Sequence, residues 1–457
     1  MSLLASWLAA AARDRPAACA LRAASREWAY GELLALAGQG AACLRSSGVA
    51  AGAIVGCSGA AVDLALAAVA CSSAAAALLP LDPLTVDSAW PRLQELAGGR
   101  LQRLDASPAE WSNYRGLAPA AADANDLALV IATSGSEGEP KAVMLTAGNL
   151  AAAVAASQQC LPLAAGDVWL GCLPLYHIGG MSLLHRCLRA GATLLLHSGF
   201  AAPAVWRDIN EQAVSHVSLV PVMLARLLDA AAGQPPPGSL RHALIGGGAL
   251  SRPLCERALA SGWPIRPSWG LSESAAQAAT LLDPELEWWP GLVGAPLPGL
   301  AARVAADGRI CLRGAQVMAG YLNPQWRPGV GLVDGWLITA DLGEIDAAGR
   351  LSIRGRADDL LISGGVNVHP AEVEECLAAC PGVSDVAVTA IADAEWGDSL
   401  LALVVGQADL ELLHAWSRQQ LPAARRPRRF RCVDRLPRNP LGKLERAVLR
   451  RLAAEAA

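Results

Sequence analysis

The stretch LALVIATSGSEGEPKA, residues 127–142, opens with uninterrupted apolar residues and closes on glycines, hydroxyls and one lysine. The run 127–136 reads as a buried strand entering a Gly/Ser loop. Gly135 and Gly138 allow backbone to approach an anion closely, and Thr133, Ser134 and Ser136 offer hydroxyl donors. Lys141 adds a compact positive charge. A Walker A loop needs Gly-Lys followed by Ser or Thr, whereas here Pro140 precedes the lysine and Ala142 follows it. Read alone, the stretch suits a Ser/Gly-rich surface turn as well as a nucleotide loop. Lys141 is one of two lysines in 457 residues, the other being Lys443. Arginine serves almost everywhere else, so these two positions read as sites that need an ammonium rather than a guanidinium.

The composition bounds what surrounds this loop. Hydrophobic residues make up 53% and charged residues 17%, the balance of a folded globular chain. The length asks for at least two domains. A net charge of −4 gives no electrostatic footprint for nucleic acid, and no such partner is expected. One basic run, ARRPRRFR around Arg425 to Arg431, reads as solvated surface. Twelve cysteines include no CxxC pair, so they read as reduced thiols, neither disulfides nor a zinc site. At the N-terminus the arginines follow the apolar run, the reverse of a signal peptide. Residues 64–81 are uncharged but rich in Ala and Ser, contain Pro80, and lie between Asp63 and Asp82. They read as a helix running into a buried strand rather than a membrane span, and a cytoplasmic location is expected.

Organisation follows the same logic. Up to about residue 290 strand-like and helix-like pieces alternate, as in VSHVSLVPVMLARLLDAA and LRHALIGGGAL. That pattern predicts parallel sheets covered by helices, an α/β fold. The segment TAGNLAAAVAASQQC (146–160) reads as a helix capped by Thr146. Residues 291–355 carry short apolar runs broken by Gly, Pro, Asn and Asp, which predicts a β-rich subdomain. From about 356 onward helix (370–380), two strands (VSDVAVTAI, LLALVVG) and helix (409–420) predict a small α+β unit. The expected division is 1–355 and 356–457.

The loop TSGSEGEPKA resembles the T-S-G-[ST]-x-G-x-P-K signature of the adenylate-forming enzymes, the superfamily of acyl-CoA synthetases, luciferases and adenylation domains. Further stretches resemble that superfamily in the same order. They are LLPLDP (78–83), LPLYHIGG (173–180), LIGGGAL (244–250), WGLSES (269–274), GYLN (320–323), TADLGEID (339–346), GRADDLLISGGVNVHPAEVE (355–374) and PRNPLGKLER (437–446). The resemblance implies a large N-terminal domain of two helix-covered sheets plus the β-rich part, with a mobile C-terminal domain. It implies an AMP-forming ligase that joins a carboxylic acid to ATP as an acyl-adenylate, then passes the acyl group to a thiol. ATP, Mg²⁺ and coenzyme A are the expected cofactors.

Residue roles implied by the resemblance are as follows. Thr133, Ser134, Gly135, Ser136, Gly138 and Lys141 hold the β- and γ-phosphates. Glu137 stands where many members carry Thr and has no assigned role. Glu273 binds Mg²⁺, which prefers hard oxygen ligands. Gly246, Gly247 and Gly248 let backbone meet adenine and acyl group, and Trp269, Gly270 and Ser272 replace or keep the usual adenine-side residues. Asp341 grips the ribose hydroxyls, Arg356 makes a second ribose contact, and Asp358 marks the hinge. Lys443 is inserted for adenylate formation, and Gly364 and Gly365, after Ser363, border the thiol tunnel. His177 resembles the gate residue of aryl-CoA ligases.

The 173–180 segment offers no acid to hold an α-amino group, which argues against an amino-acid substrate. The pocket walls that the resemblance implies, His177, Met181, Gly248, Ala249, Leu271 and Ala275, are small or apolar and would fit a ring. The expected substrate is a small-molecule, aromatic carboxylic acid. Arg186 stands either at this pocket or on a helix surface. A carrier-protein thiol is the alternative acceptor to coenzyme A, and the resemblance allows a homodimer.

Overall fold

The computed structural model describes residues 3–454 apart from 25, 105–107, 122, 135–139, 364–365, 394–396, 440–441 and 443. Three sheets organise it. In a six-stranded sheet Leu101–Arg103, Ile54–Ser58, Ala77–Leu81 and Leu127–Ser134 run parallel, and Pro140–Thr146 folds back antiparallel on Leu127–Ser134. The antiparallel strand Pro140–Thr146 is not what the alternation of elements predicts. Lys141 is paired with Thr133 across that hairpin. The chain then enters helix Ala147–Cys160, where Thr146 caps Asn149 and the Asn149 side chain returns the bond.

The larger sheet begins as a parallel block in which Thr193–Leu196, Val168–Gly171, His216–Leu219, His242–Ile245 and Ile265–Trp269 lie side by side. These strands are short and mostly buried, as expected when both faces are covered by helices. Ala279–Thr280 then pairs antiparallel with Ile265–Trp269 and with Leu292–Pro296. The β-rich part of the chain is thus joined edge to edge with the parallel block.

Helix Ala61–Ser73 is apolar all round and buried along nearly its whole length, and it leads into the fully buried strand Ala77–Leu81. This accounts for the uncharged run at 64–81 without a membrane. Among the described residues no helix is long and apolar enough to cross a membrane. All twelve cysteines are free.

A third sheet pairs Leu361–Ser363, Val366–Val368, Gly397–Gly406, Val383–Asp393 and Arg429–Cys432. Helices Pro370–Ala378 and Leu410–Gln420 pack on one side and Arg446–Ala454 on the other, with separate apolar clusters on the two faces. The basic run is only partly solvated surface: Arg425 is ion-paired with Glu372 at 2.6 Å, and Arg426 Nε donates to the Leu421 carbonyl.

Candidate active site

Parallel strands aim their C-terminal ends at ligands in open α/β sheets. Here Gly246–Gly248 follow strand His242–Ile245, and Gly270–Glu273 follow strand Ile265–Trp269. Gly270 tolerates no side chain, since a Cβ would lie 1.6 Å from the Ala276 carbonyl oxygen. Gly247 has φ +76°, and Ala275 and Ala276 are held at +56° and +94°. Left-handed alanines each cost on the order of 1–3 kcal/mol, strain that concentrates at functional turns. The turn folds Trp269 inward, and its indole Nε1 donates to Asp341 Oδ2 at 3.2 Å.

Asp341 and Arg356 are direct cross-strand partners on Trp336–Ile345 and Leu351–Arg356. Arg356 Nη1 lies 3.6 Å from Asp341 Oδ1, and Nη2 donates to Asp358 at 2.9 Å. Burial works against the charged guanidinium of Arg356, yet Asp341, Asp358 and Asp359 outweigh it and hold its pKa above the ordinary value. The sequence-predicted ribose pair and hinge residue thus form one connected group.

Glu273 lies in the one-turn segment Ser272–Ser274, which Ser272 opens. Its carboxylate Oε1 accepts the Tyr321 hydroxyl at 2.7 Å, and its carbonyl accepts Met318 N at 2.8 Å. Lys141 Nζ stands 5.4 Å above the Tyr321 ring centroid. Burial, then the Glu273 charge, pushes the Tyr321 phenol well up, so it stays a donor. The short strand Gly320–Tyr321 pairs with Pro140–Thr146, placing Tyr321 opposite Val143. Lys141 and Glu273 are therefore brought together by a tyrosine that sequence reasoning left out. Its signal was faint: one of four tyrosines, inside the GYLN motif. One carboxylate close to Lys141 through Tyr321 fits Mg²⁺, which usually binds one or two carboxylates and completes its shell with phosphates and water.

His177 immediately precedes helix Ile178–Ala190, its ring 4.7 Å from that of Tyr176. Met181 is buried on this helix. Arg186, nine residues beyond His177, is also buried, with 6% of its surface exposed. It is not a helix-surface arginine. Its Nη2 donates to Gln277 Oε1 at 3.2 Å and its guanidinium lies 5.2 Å from the Trp169 ring centroid. Among the described residues no carboxylate pairs with it. Burial lowers its pKa to about 10. Gln277 in turn donates to Thr280, and Thr280 to Ser268.

Thr133 Oγ1 donates weakly to the Lys141 carbonyl at 3.4 Å, and Ser134 ends strand Leu127–Ser134. Gly135, Ser136, Glu137, Gly138, Gly364, Gly365 and Lys443 lie outside the described residues. Next to Lys443, Gly442 has φ +71°, and a Cβ there would meet Val222 Cγ1 at 2.7 Å and Val220 Cγ2 at 2.9 Å. Gly442 itself therefore lies against the start of helix Pro221–Ala231. Arg438 donates to both Asp385 oxygens and to the Gly442 carbonyl at 2.7 Å.

Glycine turns at the ends of two parallel strands, a cross-strand Asp–Arg pair and a Lys–Tyr–Glu row share one two-lobed α/β frame, that of an AMP-binding ligase. The chain belongs to the AMP-binding enzyme family, whose description matches residues 89–322, while the AMP-binding enzyme C-terminal domain matches 372–443. A 2-succinylbenzoate–CoA ligase from Bacillus cereus (strain Q1) is 34% identical over 338 residues, covering 71% of this chain and 70% of the relative. The o-succinylbenzoate CoA synthetase of Bacillus subtilis, in complex with its acyl-adenylate OSB-AMP, superposes with TM-score 0.87 at 29% identity, covering 98% of each chain. Its complex with ATP and magnesium gives 0.86 at 29% identity, over 96% of this chain and 98% of that one. A double mutant of the same enzyme bound to a product analogue, OSB-NCoA, gives 0.71 at the same 29% and 98%.

Proposed function

We propose that this chain joins 2-succinylbenzoate to coenzyme A at the expense of ATP, releasing AMP and pyrophosphate, the menaquinone-pathway reaction. The observation that carries this choice of acid is Arg186, a buried cation on the acyl-side helix Ile178–Ala190 that has no carboxylate partner among the described residues, in a chain 34% identical to 2-succinylbenzoate–CoA ligases. Burying an uncompensated charge is costly unless something pairs with it. 2-Succinylbenzoate carries two carboxylates. One reacts at the nucleotide, and the other supplies the counter-ion Arg186 lacks.

In the first half-reaction the reacting carboxylate attacks the α-phosphate, which brings two anions together. Lys141 neutralises the departing pyrophosphate, with Thr133, Ser134, Gly135, Ser136 and Gly138 donating to its oxygens. Magnesium, when bound at Glu273, screens the phosphate charge. Tyr321 holds the Glu273 carboxylate in place. Lys443, a point charge between two oxyanions, draws the carboxylate onto the phosphate. Asp341 and Arg356 fix the ribose, while Trp269 and the glycines 246–248 border adenine and acyl group.

The C-terminal lobe, residues 356–457, then turns at Asp358 relative to residues 1–355, and Ser363, Gly364 and Gly365 border the thiol path. His177 gates the acyl pocket. Coenzyme A rather than a carrier protein is the thiol, and the reaction takes place in the cytoplasm.

A panel of carboxylic acids, scored by AMP release that requires both acid and coenzyme A, tests the reading. 2-Succinylbenzoate is expected to lead the panel. No turnover of it, or AMP release with a carrier protein but not with coenzyme A, overturns the assignment.

A further inference from the structure

Helix Arg252–Ala260 begins four residues after Gly248, so its first turn backs the loop that faces nucleotide and acyl group. Its N-terminal amides need acceptors. Ser251 stands at the cap position but makes no side-chain cap bond. The acceptor comes instead from the other lobe: Glu375 Oε1 takes the Arg252 amide at 2.8 Å. Glu375 lies on helix Pro370–Ala378, and its neighbours there have other duties. Glu374 accepts Val388 N and Arg446 within its own lobe, and Glu372 pairs with Arg425. Successive acidic side chains thus anchor the helix at home and reach across the seam.

The seam itself is loosely filled. A cleft of about 350 Å³ opens between Arg252 and Pro290 on one side and Glu372, Glu375 and Trp416 on the other. Burial raises the Glu375 pKa, the Arg252 amide and charge oppose this, and Glu256 adds repulsion. Arg252 Nη1 stays 3.8 Å from Glu256 rather than closing on Glu375. The contact is a single hydrogen bond to a helix end, strong enough to bias an arrangement and weak enough to be released in every cycle. The structure that holds this contact superposes on the relative's adenylate complex with TM-score 0.87 and on its product-analogue complex with 0.71.

We propose that Glu375 is a positioning residue for adenylate formation: by capping helix Arg252–Ala260 from the opposite lobe, it latches the C-terminal domain in the arrangement used in the first half-reaction. The proposal rests on the two-step reading above, so its test includes a measurement that needs no acid. In the full-length protein, Glu375→Ala is compared with wild type in acid-dependent ATP–pyrophosphate exchange and in thioester formation from supplied acyl-adenylate and coenzyme A. Exchange is expected to fall about fivefold, equivalent to about 1 kcal/mol given that 1.4 kcal/mol is tenfold, the ordinary contribution of a helix cap. Thioester formation is expected to hold or rise.

Small-angle scattering with ATP analogue alone is expected to show a broader distribution of lobe arrangements in Glu375→Ala. A third protein, Glu375→Ala with Ser251→Asp, restores a cap from within the large lobe. It is expected to regain the stability of the large lobe without regaining exchange. Equal losses in both half-reactions, unchanged scattering, or recovery of exchange by Ser251→Asp each overturn the latch. Changed scattering without turnover of 2-succinylbenzoate supports the latch and overturns only the choice of acid.

Discussion

Replacing Arg186 by methionine separates a residue kept for substrate from one kept for the fold. Burial holds the guanidinium pKa at about 10, down from an ordinary 12.5. At 1.36 kcal/mol per pH unit, the free protein gives up about 3 kcal/mol to keep this charge inside. The Trp169 face and Gln277 return part of that, on the order of 1 kcal/mol each. Methionine fills similar volume without the charge, so Arg186→Met is expected to unfold at the same or higher denaturant concentration than wild type.

Substrate use is expected to move the other way. Removing one partner of a buried charge pair costs about 2–5 kcal/mol, so kcat/KM for 2-succinylbenzoate should fall roughly 30- to several-thousand-fold. The same acid without its ring carboxylate lacks the group proposed to meet Arg186. Its kcat/KM should change less than about threefold, leaving the variant nearly blind to the difference between the two acids. The assay is AMP release at saturating ATP and coenzyme A, with denaturant midpoints measured alongside. Equal losses on both acids, or a variant that unfolds earlier than wild type, would refute the reasoning.

Tyr321→Phe removes the hydroxyl bound to the Glu273 carboxylate at 2.7 Å. A hydrogen bond to a charged group contributes about 1.5–3 kcal/mol, so kcat/KM for ATP should drop roughly 10- to 100-fold and the magnesium requirement should rise, with thermal stability little changed. Lys443→Ala should abolish pyrophosphate exchange yet spare thioester formation from supplied acyl-adenylate; equal loss in both steps would sink its assigned role. Two buried histidines make stability depend on pH: burial depresses the pKa of His185 to about 4 and of His216 to about 3. The folded protein leaves both neutral while the unfolded chain protonates them below about pH 6.5, so their contribution is complete above that pH and is lost as pH falls toward 4. Each should cost about 2 kcal/mol by pH 5. Urea midpoints at pH 8 and pH 5 measure this, and His185→Leu with His216→Phe should flatten the difference; an unchanged slope would count against it.

Elements with a strong local period were legible without coordinates. The helix after Thr146, the strand–helix unit at 216–231 and the helix pair of the C-terminal lobe follow from caps and apolar spacing that act over a few residues. Strand Pro140–Thr146 was not legible in this way because its pairing, not its composition, makes it a strand. In the same way the β-rich segment gave no sign that it would fuse with the parallel block, since edge-to-edge pairing depends on which strand end is left open.

The sequence by itself determined which residues could do chemistry, through ordered motifs and two lysines spared in an arginine-rich chain. Tertiary structure decided what holds them. Trp269 meets Asp341 across 72 positions, Arg186 meets Gln277 across 91, and Arg252 meets Glu375 across 123. No local period encodes such distances. They arise when the chain buries its apolar faces, and the burial fixes both the loss of water around a charge and the partner, if any, left to replace it.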